Sequence, residues 1–239
     1  MSIARKRPTV TTILASTWLI VLTILALTAD YLPFIRAYNQ RVKYARNYNL
    51  GPGSDFFFGS DQLGRDIFAR CIYGAQISLV GRFDVLSATN DSLSWLTRTW
   101  SITFVLSLLS IAPIARIVRA QTLSLSQREF VLAARSLGAK SGRVIFREIV
   151  PNLIPAMTSV VFTGIAILLV SEGGLAFLGY SVKPPSPSWG LLVSENREKL
   201  DDAWWATIFP CIMLFVTVLS FNMIGDRVAR KFDIREAAL

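Results

Sequence analysis

The chain has 239 residues, 52% of them hydrophobic, with a mean hydropathy of +0.46 and a formal net charge of +9. So apolar an average excludes an ordinary soluble domain, a disordered chain, a collagen-like repeat and a disulfide scaffold. The sequence has no histidine, which removes a Ser-His-Asp triad, a histidine-ligated zinc site and a histidine proton relay.

Charged residues make up 17% of the chain and must gather between apolar blocks. Cys71 and Cys211 form no CxxC pair, so redox and zinc readings are weak. Cys211 lies in an apolar run and is expected to pack as a small hydrophobe. With this hydropathy the basic excess fits contact with membrane lipid and no nucleic-acid partner.

Four segments are expected to span a bilayer of ~30 Å, which needs about 20 helical residues. The first is residues 10–35, after Arg5, Lys6 and Arg7. It exceeds a signal-peptide h-region, and residues 30–35 carry no small-residue cleavage pattern, so it is read as a retained helix.

Residues 58–79, FGSDQLGRDIFARCIYGAQISL, read as a turn at Gly59-Ser60-Asp61 followed by an amphipathic helix. Ile67, Cys71 and Ala75 share one face, and Asp66 with Arg70 has i,i+4 spacing. Asp61 and Asp66 resemble an acid–base pair, but a solvated, salt-bridged loop is the preferred reading.

The second span is residues 100–115, with Arg98 and Trp100 at its boundary. After it comes SQREFVLAARSLGAKSGRVIFREIVPN, residues 126–152. Ser126 and Glu129 have the spacing of a capping box. Phe130, Ala133, Ala134 and Leu137 recur at i, i+3, i+4 and i+7 and predict one apolar face. Gly138 stands where a helix C-cap wants a left-handed residue. A second helical stretch over 141–150 is expected to end at Pro151. The short helix could lie on the membrane surface or dock against another protein, its Ala133-Ala134 pair allowing close backbone approach.

The third span is 153–170. Beyond it runs EGGLAFLGYSVKPPSPSWG, residues 172–190, in which Gly173, Gly174 and Gly179 permit a bend and close approach. Pro184, Pro185 and Pro187 stiffen a loop, and Trp189 can anchor at the membrane interface. The fourth span is 206–224, introduced by Trp204 and Trp205, a pair suited to an interfacial aromatic belt.

Orientation follows from loop charge. Residues 116–148 hold seven basic and two acidic residues, and 172–202 hold three basic and five acidic. The first loop is therefore expected inside and the second outside, with both termini cytoplasmic. Residues 36–75, with six basic and three acidic, fit this less well but are also placed outside. Three divisions follow: 1–35, the N-terminal end and first span; 36–79, an external segment and lead-in helix; and 80–239, a core with an inner loop at 116–152 and an outer loop at 172–205.

The alanine pair, the glycine four residues after it and the later proline resemble the EAA motif of ABC importer permeases. Residues 58–79 and the PP-x-PSWG run are similar to the dipeptide/oligopeptide permeases of the C type. Phe221-Asn222-Met223-Ile224-Gly225-Asp226-Arg227 resembles that family's FN-x-x-GD-x-x-R ending.

The resemblance implies an all-α integral membrane fold, the type I ABC importer transmembrane domain, in a multi-pass protein of the bacterial cell membrane. It also implies an ATPase-coupling role for the 126–152 loop. Matching positions are Phe130, Ala133, Ala134, Arg135, Gly138, Pro151 and Asn152, with Ser126, Glu129, Leu132 and Leu137 beside them. Leu132 departs from the usual Glu of the motif. Gly174, Phe177, Gly179, Pro184, Pro185, Pro187, Trp189 and Gly190 would face the external gate and a substrate-binding protein. No GxxxxGK[ST] loop occurs, so the chain is expected to be no enzyme and to bind no cofactor; ATP and Mg would sit on partner subunits. Implied partners are a second, homologous permease, two ATPase subunits or domains and an extracytoplasmic binding protein.

The family has six spans where four are counted. The shortfall falls at residues 80–94, VGRFDVLSATNDSLS, where two helices of ~20 residues are missing. Either the core is shortened or residues are lost at the 81/82 and 89/90 junctions. The second account is preferred, since a shortened core would lose part of the translocation path. Peptide import is the expected function. Import of a nickel chelate, haem or an opine, a membrane enzyme and a non-transporting scaffold are the rivals.

Overall fold

The computed structural model describes residues 10–32, 35, 48–80, 92–180 and 186–236. All named elements among them are helical. They are α1 (Val10–Thr28), α2 (Ile67–Ala75), α3 (Ser92–Ser126), α4 (Glu129–Ser136), α5 (Ser141–Arg143), α6 (Val150–Phe177), α7 (Trp189–Asn196) and α8 (Leu200–Glu236). Short 3-10 turns follow α1 and α7, and π-helical stretches follow α2 (Gln76–Val80) and α5 (Val144–Ile149).

Three helical runs among the described residues are long and apolar enough to cross a membrane: Val10–Tyr31, Ser141–Phe177 and Trp189–Arg230. The expected 100–115 span lies inside the 35-residue α3, which is not among these three. Each run keeps large apolar side chains open, such as Ile13 and Ile24 on α1, Val161 and Ile167 on α6, and Ile212 and Phe215 on α8. In a bilayer these faces need no protein partner.

The 141–150 helix does not stop at Pro151. It runs through into α6, with Pro151, which has no N–H to donate, as the second residue of that helix. What changes there is the hydrogen-bond register, from π to α.

The chain forms two compact units. The larger comprises residues 1–102 and 166–220, and the smaller 103–165 and 221–239. The core of the larger unit gathers Leu22, Ala26, Ile67, Cys71, Ile72, Trp189, Leu192 and Ala206, with Trp205 and Phe209 packed at its edge. Trp18 Nε1 donates to Thr217 Oγ1 at 3.1 Å, and Gln76 Nε2 donates to the Ala26 carbonyl, which tie α1 to α8 and to the end of α2. The smaller unit has its own core of Leu125, Val131, Val144 and Ile149. There Gly225 lies against α6: an added Cβ would stand 3.1 Å from Phe162 Cβ, and Ser159 Oγ donates to the Gly225 carbonyl at 3.0 Å.

The turn before α2 is set by Gly59, whose φ is +78°. A Cβ there would come within 2.5 Å of the Trp205 ring and 2.6 Å of the Leu50 carbonyl oxygen. Trp205 fills that space and donates from Nε1 to the Ser60 carbonyl at 3.1 Å. Trp204 is 47% exposed, so only one of the two adjacent tryptophans has the open setting expected of an aromatic belt. Gly59→Ala should destabilise the larger unit by roughly 2–4 kcal/mol, combining left-handed strain with overpacking. Gly53→Ala, with only one atom at 4.0 Å, should be neutral in the same thermal unfolding measurement on detergent-solubilised protein.

Candidate functional site

Two groups of predicted residues can be built from the sequence upward, one in each unit. In the larger unit the group centres on α7. Ser188 caps it, accepting from Leu191 N–H at 3.2 Å, and donates its own hydroxyl to Glu172 Oε1 at 2.6 Å. Trp189 is fully buried and donates from Nε1 to the Cys71 carbonyl at 2.9 Å. It is therefore a core residue and no interfacial anchor. Its indole lies against Gly74, where a Cβ would meet Cδ1 at 3.1 Å.

Gly190 lies directly on α6. A Cβ on Gly190 would stand 2.6 Å from Gly173 Cα and 3.2 Å from Ala176 Cβ. The tight pair is thus Gly173 with Gly190, whereas Gly174 faces open space. Gly179 ends α6 with φ +80°, and Tyr180 N–H reaches back to the Leu175 carbonyl at 2.9 Å. Phe177 is 46% exposed and carries the Arg197 guanidinium over its ring at 5.6 Å. Pro187 is fully buried; Pro184 and Pro185 lie outside the described residues.

The expected solvated loop at 59–66 is instead a buried ion network. Asp61 Oδ1 accepts Leu63 N–H and Arg65 N–H, each at 2.8 Å. Its Oδ2 accepts Arg65 Nε at 2.7 Å and Arg70 Nη1 at 3.0 Å. Arg70 Nη2 then donates to Glu195 Oε2 on α7 at 3.0 Å. The side chains of Arg70 and Asp61 are 0% and 1% exposed. The i,i+4 pair is Asp61 with Arg65, not Asp66 with Arg70. Asp66 caps α2 instead, accepting from Phe68 N–H at 2.8 Å. Because nearly every residue of α2 is buried, its predicted solvent face does not exist. Burial, with the like charge of Arg65 second, lowers the Arg70 pKa, while burial pushes the Cys71 thiol up. The role of Glu195, 125 residues from Arg70, has no local signal in the sequence. The short spacing from Asp61 to Arg65 and Arg70 is the trace of this network that the sequence does show.

In the smaller unit, the expected capping box does not form. α3 continues to Ser126, whose hydroxyl is turned back to the Leu123 carbonyl at 2.7 Å. α4 starts at Glu129 after Arg128, and its eight residues make about two turns. Gly138 does end it as expected, with φ +81° and its N–H on the Arg135 carbonyl at 2.9 Å. Val131 alone within α4 is buried, against Leu125, Val144 and Ile149. The predicted apolar face points the other way: Phe130 is 38% exposed, Leu137 89%, and Ala133 is open with Ala134 half-buried. Leu132, Glu129 and Arg135 are exposed too. Pro151 and Asn152 are also exposed, with Asn152 Nδ2 donating to the Glu148 carbonyl at 2.7 Å. Among the described residues no cluster of His, Cys, Asp or Glu has the makings of a metal site.

Removing one partner of a buried ion pair strands the other charge. Arg70→Met should therefore cost about 3–5 kcal/mol. Glu195→Gln should cost less, since Glu195 is 21% exposed and the amide still accepts a hydrogen bond. Thermal unfolding of both variants in detergent checks the order.

Comparison with known proteins bears on the chain as a whole. Residues 7–235 match the family described as binding-protein-dependent transport system inner membrane component. The chain is 31% identical to the dipeptide transport system permease protein DppC of Alkalihalophilus pseudofirmus, over 92% of this chain and 85% of the relative. It is 29% identical to the oligopeptide transport system permease protein OppC of Bacillus subtilis, with the same coverage. The glutathione transport system permease protein GsiD of Escherichia coli is 31% identical over 78% of this chain and 75% of the relative.

The first alignment runs over 259 positions, yet 92% of 239 residues is only about 220, so about 40 positions of the relative have no counterpart here. That excess is the length of two spanning helices of ~20 residues. The junctions at 81/82 and 89/90 lie outside the described residues. Helices of membrane length and a match over nearly the whole chain agree with one another. The chain belongs to the family of binding-protein-dependent transport system inner membrane components, the permeases of ABC importers.

Proposed function

We propose that this chain is one permease subunit of an ATP-driven importer that moves dipeptides or short oligopeptides across the bacterial cell membrane by alternating access. The observation that carries the reading is α4: an eight-residue helix attached through buried Val131, with Phe130, Ala133 and Leu137 turned outward. An apolar face held open on the basic side of the chain suits a cleft on an ATPase subunit. Gly138 ends the helix sharply, and Arg135 and Glu129 supply rim charges. Leu132, 52% exposed, adds apolar area where related motifs carry Glu. Closure of two ATPase subunits, with ATP and Mg bound to them, would be passed through α4 to α3 and α6.

A second, homologous permease would complete the path, and an extracytoplasmic binding protein would deliver cargo near α7. Both termini would be cytoplasmic, as the basic 116–148 loop requires. The peptide cargo rests on the printed functions of the relatives, two of which name dipeptide and oligopeptide transport. A glutathione permease among them keeps a modified tripeptide as the second reading. Competition uptake in cells separates the two: unlabelled dipeptides should suppress uptake of a labelled dipeptide more strongly than glutathione does.

Leu137→Asp places a charge on an 89%-exposed position, so folding should be unaffected while co-purification with the ATPase subunits falls by about tenfold, equivalent to about 1.4 kcal/mol. Gly138→Val strains a left-handed residue by about 1–2 kcal/mol and should leave ATP hydrolysis running while uptake drops. Unchanged uptake in Gly138→Val would remove α4 from the coupling path.

A further inference from the structure

The loop before α2 was expected in external water, yet its rings run into a membrane-length helix. Phe57 lies 5.6 Å from Phe68, and Phe68 lies 5.0 Å from Phe58 in an edge-on contact. Phe58 stacks on Phe209 of α8 at 4.2 Å with the planes 8° apart. Phe209 in turn lies 6.3 Å from Trp204. This is one continuous row of rings. Both of its ends are open, Phe57 at 62% and Trp204 at 47% exposure.

Depth follows from α8. Asp201 and Asp202 are exposed at its start and cannot enter hydrocarbon cheaply, so they fix the water-side limit. α8 kinks at Ala203, whose φ of −149° and ψ of 59° are not helical, so its regular part begins at Trp204 and Phe209 lies five residues along it, roughly 7–8 Å at the α-helical rise. The polar layer outside the hydrocarbon core is about 5–8 Å thick on each side. Phe209 therefore lies at or inside the hydrocarbon boundary, and the ring stacked on it lies at the same level. Large exposed rings at that depth suit the headgroup layer, where aromatic side chains gather. Asp55 beside them is exposed, so the attraction is apolar and needs no anionic lipid.

We infer that Phe57 and Trp204 are seated in the headgroup layer of the lipid bilayer, so that the 51–66 loop is a membrane-anchored element and not a free external loop. Its occupant is lipid. The inference needs only that α8 crosses the membrane, so a failure of the peptide cargo or of α4 coupling would leave it standing.

The test is nitroxide accessibility in the assembled importer, reconstituted in phosphatidylcholine nanodiscs. Cys211→Ala removes the exposed native thiol, while Cys71 is buried. Phe57→Cys and Trp204→Cys are then labelled separately, with Asp55→Cys as the water reference and Ile212→Cys as the lipid reference. Collision with oxygen relative to a water-soluble nickel chelate should be several-fold higher at 57 and 204 than at 55, and approach that at 212. A label at 57 that behaves like the one at 55 overturns the inference. Protection at 57 from both oxygen and nickel also overturns it, because a protein partner would then cover the ring. If Phe57→Cys fails to assemble, the ring-retaining Phe57→Trp takes its place: added fluorescence quenched by bromine-labelled phosphatidylcholine is expected, and quenching by a water-soluble quencher alone overturns the inference.

Discussion

The larger unit depends on the seat of α7, where three different interactions meet on eight residues. Its glycine rests on the backbone of α6 at a distance that no side chain permits. Its tryptophan fills the space above Gly74 and spends its only polar atom on an α2 carbonyl. Its Glu195 closes the charge balance of Arg70 and Asp61. Dispersion, hydrogen bonding and charge thus all require the same placement, which is why a helix too short to be stable alone holds its position.

The ion network also shows why a buried charge can be tolerated here. Asp61 is met by two backbone N–H groups and two guanidinium groups, so its carboxylate exchanges water for four donors. Such a network stabilises little against apolar substitutes, but it admits only one arrangement of the turn, α2 and α7. Specific geometry is what it adds.

Much of this was legible in the sequence. Length and apolarity announced three membrane-length helices, and Gly138 announced the end of α4, because each rests on a local rule. The errors share a cause. Ser126 and Glu129 have capping-box spacing, but α3 runs further than its apolar stretch and takes Ser126 for itself. Pro151 reads as a stop, but a helix that changes register just ahead of it absorbs the missing donor. Trp189 and the 59–66 turn read as surface features because what buries them comes from residues more than 100 positions away. Periodicity found the right apolar stripe on α4, yet the stripe faces outward; the side that buries is marked by Val131 alone.

The π-helical stretch at Val144–Ile149 gives the smaller unit a mechanical character. In a π-register each bond reaches one residue further than in an α-helix, so the winding is wider and less tightly braced along its axis. The run from Ser141 to Phe177 is therefore a rod with a compliant section near its beginning, and Pro155 removes a further hydrogen bond beyond it. Val131 touches the rod at that section, through Val144 and Ile149. What α4 leans on is thus the part of the rod that twists most easily.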